Sequence, residues 1–235
     1  MKTKIALLLL VSLVWNCKQK PNTEKLKIQS PQEQVETTEQ IPSAIRDIVS
    51  FAAVPVTDTT DIAQLIQFKE IGKNGVLRTI NTNKFMKLYR ALMDSKTIEV
   101  FPILEMKNTD KAVLFANGKG YGGTIWAQML VDRSTGEIEK IQFDHKAESE
   151  GYGDGITQTS FEKQFMGTKI SFNSNTFGLQ QGGQNVLKGN IIVDGASGAT
   201  TTNQAAVDMI NKGLQKYETY FNRMSVTYHS LDNLE

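Results

Sequence analysis

The chain has 235 residues, 26 basic and 25 acidic, for a formal charge of +1. That balance excludes the basic excess which a nucleic-acid binder gathers along its phosphate-tracking face, so no nucleic-acid partner is expected. One cysteine excludes an internal disulfide, a Cys-rich zinc site, an iron–sulfur cluster and c-type haem attachment. With two histidines in the whole chain, redox chemistry, if there is any, falls to an organic cofactor.

Lys2 and Lys4 precede an apolar run over residues 5–15. Spanning a bilayer takes about 20 apolar residues, so the run reads as an export signal over residues 1–17. Cys17 closes it and is followed by Lys18-Gln19-Lys20, which resembles a bacterial lipoprotein signal whose cysteine is acylated. Trp15 and Asn16 are larger than is usual before the cleaved bond, and an ordinary signal peptide is the alternative. Acylation would make Cys17 a lipid anchor in the bilayer. Residues 18–40 carry almost no core-forming side chains and read as a flexible tether.

The folded part is expected from Ile41, with a helical segment over 41–110 ahead of a domain over 111–221 and a tail over 222–235. Asp58, Asp61, Ile62, Leu65 and Ile66 predict a helix over 58–71 with an acidic first turn. Phe85, Leu88, Tyr89 and Leu92 predict another over 83–92. Residues 97–106, 112–116, 124–132 and 137–143 read as strands, the last two joined by the turn Arg133-Ser134-Thr135-Gly136. A short amphipathic helix over 161–166, a buried strand over 191–193 and a long helix over 202–221 complete an α+β fold, a mainly antiparallel sheet with flanking helices.

Gly118-Lys119-Gly120-Tyr121-Gly122-Gly123 satisfies G-x-G-x-x-G, but a strand-like run follows where a dinucleotide-binding helix should begin. It reads as a tight turn between strands, or as a place where backbone approaches a flat ligand. Residues 145–154 set His145 and the acids Glu148, Glu150 and Asp154 beside Gly151 and Gly153, with Tyr152 offering a stacking face; a ligand-lining loop fits better than a metal site. Asp194-Gly195-Ala196-Ser197-Gly198-Ala199-Thr200 lies between a strand and the last long helix. The free N–H groups of that first turn favour a phosphate. The other reading is N-capping by Ser197, Thr200, Thr201 or Thr202.

This last stretch resembles the flavinylation motif Asp-x-x-Ser/Thr-Gly-Ala-Thr of the FMN-binding domain, found in the C subunit of sodium-pumping NADH:quinone reductases and the G subunit of Rnf electron-transport complexes. Asp194, Ser197, Gly198, Ala199 and Thr200 match it position by position. The residues 120–123, with Gly122 and Gly123, resemble the family's glycine-rich loop; Glu148 to Gly153 resemble its Glu-Thr-Pro-Gly-Leu-Gly loop, with Ser149, Glu150 and Tyr152 departing from it; Phe161, Phe165 and Gly167 resemble its Phe-x-x-x-Phe-x-Gly tail. The resemblance covers about residues 112–217. It implies FMN carried on Thr200 through a phosphoester, installed by a Mg-dependent flavin transferase from FAD, with Asp194, Ser197, Gly198, Ala199, Gly122, Gly123, Glu148, Gly151, Tyr152 and Gly153 around the cofactor, the glycine loops near its ring tuning the potential. An electron carrier needs no catalytic acid or base of its own, and the two histidines in the chain argue against a resident metal.

Joined to the lipoprotein-like start, these features lead to the expectation of an extracytoplasmic, lipid-anchored electron carrier between a membrane reductase and a downstream acceptor. The alternatives are a flavin-dependent oxidoreductase using His145 or Tyr152 as proton donor, a component of an ion-translocating NADH:quinone or Rnf complex, and a non-redox lipoprotein in which the motif is only a helix cap.

Overall fold

A computed structural model describes residues 41–54, 57, 60–94 and 98–223. The export signal, the tether, Cys17 and residues 224–235 lie outside the described residues. In chain order the elements are α1 (Ser43–Phe51), α2 (Ile62–Leu65), β1 (Ile66–Gly72), β2 (Leu77–Thr79), α3 (Thr82–Met93) and β3 (Val100–Met106). Then come β4 (Lys111–Lys119), β5 (Thr124–Asp132), β6 (Glu137–His145), α4 (Thr159–Glu162) and β7 (Thr168–Lys169). The chain continues through β8 (Phe177–Gln181), β9 (Gln184–Leu187), β10 (Ile191–Asp194) and α5 (Thr200–Gln215).

The seven strands β2-β1-β3-β4-β5-β6-β7 form one sheet in that order, every neighbouring pair antiparallel. Both faces are covered, which is why β3 and β4 bury consecutive residues instead of alternating. On one face Phe68, Leu104 and Phe115 pack against Ile45 and Ile48 of α1 and Phe85 of α3. On the other, Ile103, Leu114, Ala127 and Met129 pack against α5 and a three-stranded sheet ordered β10-β8-β9. There β10 runs parallel to β8, and β8 turns back into β9 through Gly182 and Gly183, both at positive φ.

The α+β architecture, the strands over 124–132 and 137–145, and the helix over 82–93 agree with the sequence expectations. The helix expected over 58–71 does not form. Asp61 caps a single turn by accepting from Ala63 N–H at 3.0 Å, and Ile66 then enters β1, paired along seven residues with β3. Residues 41–110 are therefore not helical throughout; they supply three strands to the main sheet. The long last helix starts at Thr200, two residues early, and ends at Gln215, with a further helical turn over 218–223.

The helix α5 lies close on β4. A Cβ at Gly213 would come within 2.6 Å of the Ala116 side chain, and one at Gly118 within 3.1 Å of Met209. Buried Asn211 bonds the backbone of Phe177 in both directions, accepting at 3.0 Å and donating at 2.8 Å, so its amide completes the edge of β8. Phe161 and Phe165 join Phe143 and Phe177 in a ring cluster with centroids 4.7–5.4 Å apart.

Beyond α5, Tyr220 is buried and donates to Glu105 Oε1 at 2.7 Å. Lys69 stands 2.7 Å from the same carboxylate and Arg133 3.6 Å. Burial, reinforced by the neighbouring Glu105 charge, pushes the Tyr220 hydroxyl far above the usual tyrosine range, so it remains a donor. Tyr220→Phe should lower stability by about 1–2 kcal/mol in urea unfolding, since Lys69 and Arg133 still compensate the carboxylate.

Candidate functional site

The turn leading into α5 is shaped by its glycines and by amides from neighbouring elements. Gly198 has φ +76°, a left-handed conformation that glycine adopts without strain. Gly195 leaves no room for a side chain against Gln181 and Asn203. Gln164 holds the Asp194 backbone in both directions, accepting from its N–H at 2.7 Å and donating to its carbonyl at 3.0 Å. Asn203 donates to the Ala196 carbonyl at 2.8 Å, and Gln181 to that of Thr200 at 3.2 Å.

The N-cap position belongs to Ala199, and no side chain caps the helix. The caps considered at Ser197, Thr200, Thr201 and Thr202 are therefore not made. Asn203 N–H, bonded to Ala199 O at 2.7 Å, starts the helical pattern. Ahead of it, the first-turn N–H groups have no acceptor among the described residues and meet the cleft, the arrangement that favours an anion. Thr200 and Thr201 are exposed, while Thr202 is buried and donates its hydroxyl to Glu148 Oε2 at 2.7 Å.

Glu148 connects three segments. Its Oε1 accepts from the N–H groups of Gly122 at 2.8 Å and Gly123 at 3.2 Å, while Oε2 takes the Thr202 hydroxyl. Its own N–H donates to His145 Nδ1 at 3.2 Å. Gly120 and Gly153 press against the same carboxylate so closely that a Cβ on either would overlap its oxygens. The loop over 120–123 is a hairpin turn between β4 and β5, closed by Gly120 N–H on Gly123 O at 2.7 Å. The Gly122 and Gly123 N–H groups expected to face a flavin ring are instead bonded to Glu148.

A cleft of about 260 Å³ opens beside this assembly, lined by Tyr121, Glu148, Ser149, Tyr152, Gly153 and residues 198–202. Among the residues singled out in the sequence, Glu148, Tyr152, Gly153, Gly198, Ala199 and Thr200 meet here. Gly122 and Gly123 reach the cleft only through Glu148. Asp194, Ser197 and Gly151 stand outside its lining; Asp194 and Ser197 shape the approach to α5, and Gly151 provides a turn at φ +74°. His145 is also outside the lining, which leaves Tyr152 as the cleft's share of the two proton-donor candidates. Sequence reasoning gave no ligand role to Tyr121, Ser149, Thr201 or Thr202, which also line the cleft; the largest of them is Tyr121, 78% exposed, against 63% for Tyr152. An aromatic residue inside a glycine turn was its only signal. Among the described residues, no group of three or more His, Cys, Asp or Glu could hold a metal.

The model of the FMN-binding domain matches residues 120–215, which span the glycine turn, the Glu148 loop and α5. The match covers 96 of the 235 residues. No curated protein matches the chain. Among solved structures, it is similar to the C subunit of the Na(+)-translocating NADH-quinone reductase from Parabacteroides distasonis, with 22% identity, 76% of this chain and 91% of that one covered, and a TM-score of 0.59. It is also similar to NqrC of Shewanella oneidensis, with 18% identity, 78% and 97% covered, and a TM-score of 0.61. At these identities the likeness is one of fold. Both shares of this chain are too large to come from residues 111–235 alone, so the shared fold reaches into the strands and helices before β4.

The family's ligand fits the residues present. An uncapped helix start can receive the phosphate, exposed hydroxyls stand beside it, and two uncovered tyrosine rings flank the cleft as surfaces for a flat heterocycle.

Proposed function

We propose that this chain is an extracytoplasmic electron-transfer flavoprotein, carrying FMN through a phosphoester to Thr200 and held to a bacterial membrane by acylated Cys17. The observation that carries the reading is the combination at the start of α5: a complete flavinylation motif, no side-chain cap, and an exposed Thr200 hydroxyl. A flavin transferase would form the bond from Thr200 Oγ to the FMN phosphorus of FAD, with loss of the hydroxyl proton and departure of AMP.

The bound flavin would supply exchange of one or two electrons, which none of the described side chains offers. The chain's own part is to hold and orient. The first turn of α5 would stabilise the phosphodiester charge by about 0.3–1 kcal/mol. Tyr121 and Tyr152 line the cleft that would receive the ring, and Glu148 joins the 120–123 turn to α5. Covalent attachment suits a site outside the cytoplasm, because a shallow cleft would empty of free FMN by mass action. No helix among the described residues is long and apolar enough to cross a membrane; contact with a membrane reductase and with the bilayer would run through Cys17 and the tether.

The test is expression with signal and tether intact, beside a flavin transferase, followed by a denaturing gel and intact-mass spectrometry. A yellow protein with a fluorescent band and one added FMN is expected. A colourless protein of bare polypeptide mass would leave the non-redox reading in its place.

A further inference from the structure

Among the described residues, Glu148 is the sole charged side chain lining the cleft, and it is 8% exposed. Among the described residues its partners are two backbone N–H groups and one hydroxyl rather than cations. Donors therefore face both oxygens of the carboxylate: two N–H groups at Oε1 and a hydroxyl at Oε2. A buried charge balanced only by dipoles keeps a strong field at short range, because no counter-ion cancels it. The cleft therefore contains a fixed negative charge beside the helix start that would receive the phosphate.

We infer that Glu148 is the positioning residue of this site and that its charge makes the attached flavin harder to reduce. The positioning follows from the hydrogen bonds: one carboxylate joins the 120–123 turn, which carries Tyr121, to the first turn of α5, which carries Thr200. The electrostatic part follows from sign, since electrons added near a negative charge are disfavoured. The inference rests on the flavin reading above.

Two substitutions pull in opposite directions. Glu148→Gln keeps an oxygen for the Gly122 and Gly123 N–H groups and an amide for the Thr202 hydroxyl, but removes the charge. Thr202→Val keeps the charge and removes the hydroxyl dipole that partly screens it. With wild type and both variants equilibrated against a reference dye and normalised to bound flavin, the ratio of reduced to oxidised flavin should rise about tenfold in Glu148→Gln and fall about threefold in Thr202→Val. Damage to packing has no reason to give opposite signs. Loaded variants with the wild-type ratio, or shifted in the same direction, overturn the inference and leave the flavin reading intact. Should Glu148→Gln not fold, the Thr202→Val shift decides: a fall supports the inference, while a rise or no change overturns it. A wild-type protein without flavin removes the premise and the inference together.

Discussion

Thr200→Val, expressed beside a flavin transferase, should give folded protein whose fluorescent band falls to background. Valine matches threonine in shape and β-branching, so the start of α5 loses a hydroxyl and little else. The Thr200 side chain is exposed and makes no hydrogen bond among the described residues; only its carbonyl is engaged, by Gln181. Its replacement should therefore move stability by no more than about 0.5 kcal/mol. Such a protein isolates chemistry from folding: a lost band with an unchanged urea midpoint means the missing oxygen was the attachment point. Thr200→Ser, which keeps an oxygen, should retain part of the band. The neighbours are unequal substitutes. Thr202 is buried and its hydroxyl is committed to Glu148, whereas Thr201 is exposed and lines the same cleft. A band that survives in Thr200→Val would move the attachment to Thr201 or Ser197 and contradict the motif assignment.

What the sequence made readable was whatever depends on near neighbours. The hairpin between β5 and β6 has a turn whose Asp132 carboxylate accepts from the Ser134 and Thr135 N–H groups, and the residues that build it are consecutive. The start of β1 was misread because Ile62, Leu65 and Ile66 imitate a helical face, while the pairing with β3 that overrides it comes from more than thirty residues away. β8 and β9 went unread although Gly182-Gly183 is a strong hairpin signal, because glycine and glutamine dilute the alternation around it.

The site divides along the same line. Thr200 stands in a contiguous motif and was legible. Whether the hydroxyls near it cap the helix or leave it open to an anion was not, because both readings require the same residue types in the same order. The structure separates them through Glu148, which draws off Thr202 from 54 positions away. The role of the glycines changes accordingly. The sequence permits close approach to a ligand, yet Gly120, Gly122 and Gly153 are small because protein atoms of the Glu148 loop already occupy the space.

That crowding makes Gly122→Ala the substitution with the largest expected effect on the fold around the cleft. An added Cβ would overlap the Ala147 carbonyl oxygen and lie 2.9 Å from its carbon and 3.3 Å from Glu148 Cα. These are backbone atoms, so no rotamer change relieves the overlap; the 120–123 turn must move away from the Glu148 loop. Moving it stretches the Gly122 N–H bond to Glu148 and strips a buried carboxylate of a donor. Overpacking and the weakened bond together should cost about 2–4 kcal/mol in urea unfolding. Flavin loading should fall with it, because Tyr121 is displaced from the cleft mouth. Gly123→Ala provides the control one residue along. Its Cβ would find nothing nearer than the Ala147 side chain at 3.5 Å, and neither glycine has a positive φ that alanine would resist. It should therefore stay within about 1 kcal/mol of wild type and load flavin normally. Equal losses in the two variants would mean that the turn resists any side chain, and that its closeness to the Glu148 loop is not what holds the site together.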